Sequence, residues 1–106
     1  MRDRILALIG IAQKARAVAS GNFLTEQAVA KGSAKLVIIA EDASANTRDG
    51  LEKITFYYKV PVLTYGTKET LGHAIGQSER SCVAILDEGF AAKVRSLYTT
   101  ENQSEE

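Results

Sequence analysis

One cysteine, one proline, one histidine, one methionine and no tryptophan are spread over 106 residues. With Cys82 as its sole thiol, the chain cannot form an internal disulfide, which suits a reducing cytoplasm. His73 and Cys82 have no ligand-spaced partners, so neither a metal nor a cofactor is expected, and no catalytic residue stands out. His73 reads as an outer position on a short helix and Cys82 as a small core residue at the head of a strand. Neither a Walker motif nor a dinucleotide glycine fingerprint is present, so no small-molecule substrate is implied. No apolar run approaches the roughly 20 residues of a membrane span. The apolar start, Ile5 to Ile11, has helical spacing, and Gln13-Lys14-Ala15-Arg16 follows where a secretion signal would need its cleavage site. A cytoplasmic protein is expected.

Net charge is also absent, since 13 basic and 13 acidic residues cancel. The cancellation hides an uneven distribution. Residues 1–35 carry Arg2, Arg4, Lys14, Arg16, Lys31 and Lys35 against Asp3 and Glu26, an excess of four positive charges. From Thr99 onward Glu101, Glu105 and Glu106 stand without a base. A basic front third fits phosphate contacts, and it fits a solvated helix face equally well.

What is present is ordinary for one globular domain: 45% apolar and 25% charged residues. Apolar spacing predicts a helix from about Asp3 to Ala17, with Ile5, Ile9 and Ala12 inward. Val18–Ser20 is extended, as in an edge strand. A second helix runs from Asn22 to Lys31 with Leu24, Ala28 and Val29 buried; Ser20 or Asn22 caps it and Gly32 ends it. Lys35–Ala40 is a strand covered on both faces. A third helix, Ser44 to Lys59, turns Leu51, Ile54, Thr55 and Tyr58 inward. Pro61 precedes the strand Val62–Tyr65, Thr67 caps a short helix from Lys68 to Ile75, and Gln77–Ser81 is a polar loop. Cys82–Leu86 is a buried strand, and Phe90, Val94 and Leu97 mark a last helix from Glu88. The domain is expected over residues 1–98, with 99–106 as an acidic, disordered tail. Alternating helices and short apolar strands define an α/β fold with helices on both faces, and the strands at 35–40, 62–65 and 82–86 are expected to pair in parallel.

Two places offer chemistry. Glu41-Asp42 and Asp87-Glu88 each follow a strand, which admits a magnesium-holding acid cluster of a phosphoryl-transfer enzyme; helix capping explains each pair as well. The stretch from Gly21 is the stronger candidate. A glycine-led helix start offers free amides to phosphate. Lys14, Arg16, Lys31 and Lys35 are expected to surround it, with Asn22 and Gln27 as base-edge groups and Phe23 as a stacking or core residue. Such a helix can read RNA only where a kink or bulge opens the groove.

The stretch Ala28-Val29-Ala30-Lys31-Gly32-Ser33-Ala34-Lys35-Leu36-Val37-Ile38-Ile39-Ala40-Glu41-Asp42-Ala43 resembles the signature of the kink-turn RNA-binding ribosomal-protein superfamily, the L-seven-Ae and L-thirty-e group. Tyr58-Lys59-Val60-Pro61-Val62 and Gly66 to Gly76 resemble its later landmarks, and Leu8-Ile9-Gly10-Ile11-Ala12-Gln13-Lys14-Ala15 is similar to its short bacterial, YlxQ-like members. The likeness spans about Arg4 to Leu97. It implies a single-domain three-layer α-β-α sandwich with a mixed four-stranded sheet, no enzymatic activity, and binding to structured RNA such as ribosomal RNA. Carried over by position, the groove element falls on Gly21, Asn22, Phe23, Leu24 and Gln27, with Lys31 and Lys35 nearby. The loop over the extruded base falls on Gln77, Ser78, Glu79, Arg80, Ser81 and Cys82, and Ser44 and Arg48 border it. The family pattern Gly-x-Asn-Glu-x-x-Lys is altered here, with Phe23, Leu24 and Gln27 at its Asn, Glu and Lys positions. A lost base pairing removes about 1–3 kcal/mol of discrimination. The covering loop carries Glu79 and Arg80 where the family has apolar residues. A scaffold module of the same fold without kink-turn specificity is the alternative. Oligomeric state is not fixed by sequence, with a monomer expected.

Overall fold

A computed structural model describes residues 3–104, those from 101 on by backbone alone. The elements are α1 (Arg4–Lys14), β1 (Val18–Ser20), α2 (Asn22–Lys31), β2 (Leu36–Ile39), α3 (Ala45–Tyr58), β3 (Val62–Thr64), α4 (Lys68–Ala74), β4 (Cys82–Ile85) and α5 (Glu88–Ser104). The four strands form one mixed sheet in the order β1-β4-β2-β3. It lies between two helical layers. Leu36, Ile38, Val83 and Ile85 face α1, α4 and α5, whose Ile5, Ile9, Leu71, Ala91 and Val94 complete that core. The alternate residues Val37, Ile39, Cys82 and Ala84 face α2 and α3 through Ala28, Val29 and Leu51. The strand period of two therefore divides each buried run between the layers.

The expected elements form, with one topological correction. β2 and β3 are parallel, but β4 runs antiparallel to both β2 and β1. A parallel β4 requires the chain to cross to the far end of the sheet, and α4 starts that crossing. It is then undone. The segment after α4 doubles back along the helix, with the Gln77 amide donating to Gly72 O (2.8 Å) and the Arg80 amide to Lys68 O (3.0 Å). Gly72 makes this possible, because a Cβ there would lie 1.9 Å from Ser78 O. The chain thus enters β4 at the end it left on β3.

Two burial expectations also change. Thr25, not Leu24, joins Ala28 and Val29 on the inner face of α2, and Leu24 is about half exposed at 48%. On α3, Leu51 and Thr55 are buried, whereas Tyr58 is exposed where the helix runs off the end of the sheet. At the chain's end the last helix continues through Ser104, past Thr99, where the tail is expected to begin; Glu105 and Glu106 lie outside the described residues.

Candidate nucleic-acid interface

The sheet has two ends, and the candidate residues divide between them. At one end β1, β2 and β3 finish and β4 begins, so Ser20, Ala40, Thr64 and Cys82 lie together. This end gathers Gly21, Asn22, Phe23, Leu24, Ser44, Arg48 and the loop from Gln77 to Cys82. Gly21 enters α2 with φ 87° and ψ 164°, a conformation open to glycine and strained for other residues, and its amide donates to Cys82 O at 3.0 Å. No side chain caps α2, contrary to the role expected of Ser20 or Asn22. The amides of Asn22, Phe23 and Leu24 have no acceptor among the described residues, because the first intrahelical bond is Thr25 N to Gly21 O.

Asn22, though exposed, has its carboxamide committed to neighbouring side chains. Its Oδ1 accepts from Ser81 Oγ (3.1 Å) and lies 3.4 Å from Cys82 Sγ, while its Nδ2 donates to Thr47 Oγ1 (3.2 Å). One carboxamide therefore ties α2 to the covering loop and to the start of α3. Thr47 in turn is fixed at the Ser44 cap, whose Oγ accepts from Thr47 N. The Cys82 thiol sits beneath, 3.6 Å from Thr25 Oγ1. Burial pushes its pKa up from the ordinary 9.0, against the lowering effect of the Thr25 and Ser81 hydroxyls.

Both arginines at this end are also bound internally. Arg48 donates to Thr64 Oγ1 (3.0 Å) and to the carbonyls of Ala40 (3.1 Å) and Glu41 (3.4 Å). Arg80 donates to Ser20 Oγ (3.2 Å), Glu79 O (2.8 Å), Ser78 Oγ (3.1 Å) and Gln77 Oε1 (3.3 Å), folding the loop around its guanidinium. Two large apolar side chains also face outward here, among exposed polar residues such as Gln77, Ser78 and Glu79. Phe23 is 74% exposed, so it stands out from the core, with Leu24 beside it. Gln27 lies one turn along the same stripe of α2 and is exposed too. The segments 41–48, 66–68 and 77–82 hold Glu41, Asp42 and Glu79 against Arg48, Lys68 and Arg80, a neutral balance.

Lys14, Arg16, Lys31 and Lys35 do not surround this tip, contrary to expectation. Lys35 precedes β2 and its amide donates to Ile85 O, at the last residue of β4. Lys14 and Arg16 precede Ala17, whose carbonyl accepts from Leu86 N in the same row. Lys31 closes α2, about 13 Å along the helix from Asn22. All four lie at the opposite end of the sheet. The reversed β4 also separates the acids. Glu41 and Asp42 stand at the tip, with Asp42 accepting from Lys68 N (2.8 Å), while Asp87 stands at the far end and caps α5 through Phe90 N (3.0 Å). They cannot form one metal cluster, and no group that could hold a metal occurs among the described residues. No helix among them is long and apolar enough to cross a membrane.

Sequence reasoning did not find Thr47, Thr25 or Thr64, and it gave Ser20 a capping role rather than the bond it accepts from Arg80. Ser and Thr at helix starts are a visible capping signal, but their partners lie 16 to 60 residues away.

An α-β-α sandwich with a glycine-started helix and a loop clamped over one sheet end defines the class. Its family model, described as the ribosomal protein L7Ae/L30e/S12e/Gadd45 family, matches residues 3–95, and the chain belongs to that family. It is 42% identical over 90 residues to the RNA-binding protein YlxQ of Bacillus subtilis (strain 168), covering 85% of this chain and 90% of that protein. It is 33% identical over 96 residues to the RNA-binding protein YlxQ of Enterococcus faecium, covering 91% and 92%. Among solved structures, a Bacillus halodurans protein of unknown function superposes with TM-score 0.87 at 34% identity, covering 91% of this chain and 97% of that one. The 15.5 kD RNA binding protein of Giardia lamblia superposes with TM-score 0.77 at 25% identity, covering 89% and 87%.

Proposed function

We propose that this chain is a non-catalytic, cytoplasmic RNA-binding protein that recognises structured, kink-turn-like RNA as a ribosome-associated monomer. The tip of α2 enters a groove opened by the kink, and the loop from Gln77 to Cys82 covers the displaced base. The observation that carries this reading is the exposed ring of Phe23, 74% accessible, beside three unpartnered amides at a glycine helix start. An aromatic face accepts any unstacked base, and free amides suit a phosphate oxygen. The names of the two bacterial relatives support RNA as the partner class. Asn22 faces Ser81, Cys82 and Thr47, so it holds the reading element in place and leaves base contacts to Phe23, Leu24 and Gln27.

Gel-shift titrations of the protein against a kink-turn RNA and a straightened control, at two salt concentrations, test this. Tighter binding of the kinked RNA at both is expected. Equal affinities at moderate salt would remove kink recognition. Co-sedimentation with ribosomal particles in sucrose gradients, lost on nuclease treatment, checks the ribosomal link.

A further inference from the structure

The neutral tip leaves the basic residues without a role, and they are concentrated elsewhere. Helices α1, α2 and α3 all end at the far end of the sheet, where β2 and β3 begin. There Lys14 closes α1 and Arg16 follows it, Lys31 closes α2, Lys35 precedes β2, and Lys59 ends α3. Lys35, Lys59 and Arg95 line one shallow hollow together with Gly32 and Tyr58. The acids at this end are Asp87 and Glu88, so six cations face two carboxylates. Glu52 and Lys53, further back on α3, cancel each other. Three helix C-termini, each roughly half an elementary charge negative, offset less than half of the excess. Among the described residues, none of the six cationic groups forms an ion pair or a side-chain hydrogen bond.

Two of these cations occupy an unusual backbone position. Arg16 and Lys59, both at φ 61°, are the two non-glycine residues with positive φ among those described. Both end helices, where glycine is the least strained choice, as at Gly32 in α2. The chain keeps a charge at each.

We infer that this basic end is a second RNA-contacting surface, which grips the phosphate backbone of a stem flanking the element read by the tip. It rests on the RNA-binding reading above. The outer stripe of α2 connects the two, with Phe23, Gln27 and Lys31 at successive turns and all exposed. A partner made of regularly spaced phosphates matches six unpaired cations spread over one end of the sheet. A single small anion does not.

The test uses the full chain with Lys14→Gln, Arg16→Gly, Lys35→Gln and Lys59→Gly combined. The two glycines relieve the left-handed positions, so the variant is expected to melt no lower than the parent. Titrate both proteins with a kink-turn RNA carrying long stems and with one trimmed to the kink, across a salt series. The expected result is a tenfold or greater loss of affinity for the long-stemmed RNA at low salt, and a slope of log affinity against log salt shallower by about 2 to 4. The ratio of kinked to straight binding stays as in the parent, and the trimmed RNA loses less. Unchanged affinity and slope overturn the second surface. Loss of retention on a polyglutamate column with RNA binding intact also overturns it, by assigning the surface to an acidic protein. If the parent itself prefers neither kinked nor straight RNA yet the slope still falls, the tip reading fails and the basic end stands.

Discussion

The Asn22 side-chain oxygen accepts a hydrogen bond from the Ser81 hydroxyl at 3.1 Å, across 59 residues of sequence. That bond joins the first turn of α2 to the loop over β4, and the same carboxamide reaches Thr47 at 3.2 Å. Asn22→Ala removes both and leaves the Cys82 thiol with the Thr25 and Ser81 hydroxyls. Each net hydrogen bond contributes about 0.5–1.5 kcal/mol, so a loss of about 1–2 kcal/mol is expected. In a domain of this size that lowers the melting temperature by roughly 4–16 °C. Thermal unfolding and amide exchange at Ser81 and Cys82 check it; unaltered exchange would mean that the loop is held without Asn22.

Phe23 separates binding from stability. Its ring is 74% exposed, so Phe23→Ala is expected to shift folding stability by no more than about 0.5 kcal/mol. Affinity for kinked RNA falls by about 1–3 kcal/mol if one base stacks on the ring. Parallel melting and gel-shift measurements distinguish the two effects. A variant that binds as tightly as the parent takes the ring out of the interface.

Glycine-to-alanine changes in two helices are expected to have opposite signs. At Gly50, on the exposed side of α3, the nearest atom to a new Cβ is Glu26 Oε2 at 3.9 Å, so Gly50→Ala stabilises by up to about 1 kcal/mol. At Gly72 the Cβ would lie 1.9 Å from Ser78 O, and the overlap outweighs the same helical gain. Gly72→Ala is expected to destabilise by about 3 kcal/mol and to displace the covering loop. Urea denaturation of the pair reads the sign directly, and two stabilised variants would contradict the packing of the return segment.

Cys82 gives a pH dependence. Burial raises its folded pKa above the ordinary 9.0, so the folded protein holds the proton after the unfolded chain has released it. The contribution to stability is fully present below pH 9.0 and is lost as pH rises through the folded value. Cys82→Ser, compared with the parent in denaturant titrations from pH 7 to pH 10, is expected to show a shallower decline over the alkaline part. At neutral pH the native thiol reacts slowly with iodoacetamide and the denatured one fast. Equal rates would place the sulfur at the surface.

Local patterns set most of the fold. Spacing of Ile5, Ile9 and Ala12, the capping residues Ser44 and Thr67, and the unbroken runs at 36–40 and 82–86 depend on neighbours a few residues apart. They were legible for that reason. The glycine start at Gly21 and the buried Cys82 were legible too. Spacing alone did not give the direction of β4, although the family resemblance implied a mixed sheet, because the reversal depends on Gly72 admitting Ser78 O, a backbone approach that no apolar pattern signals. The same reversal decided the site. It brought Ser81 and Cys82 to Asn22 and moved Asp87 away from Asp42, while the length of β1 and the return of α2 along the sheet put Lys14, Arg16, Lys31 and Lys35 at the end opposite the one they were expected to serve. Sequence alone determined which residues are charged or helical and most of those that are buried, since these are largely properties of short segments. Which of them share a surface was decided by tertiary structure, because charge and hydrogen bonding act through space and the direction of one strand sets which loops meet.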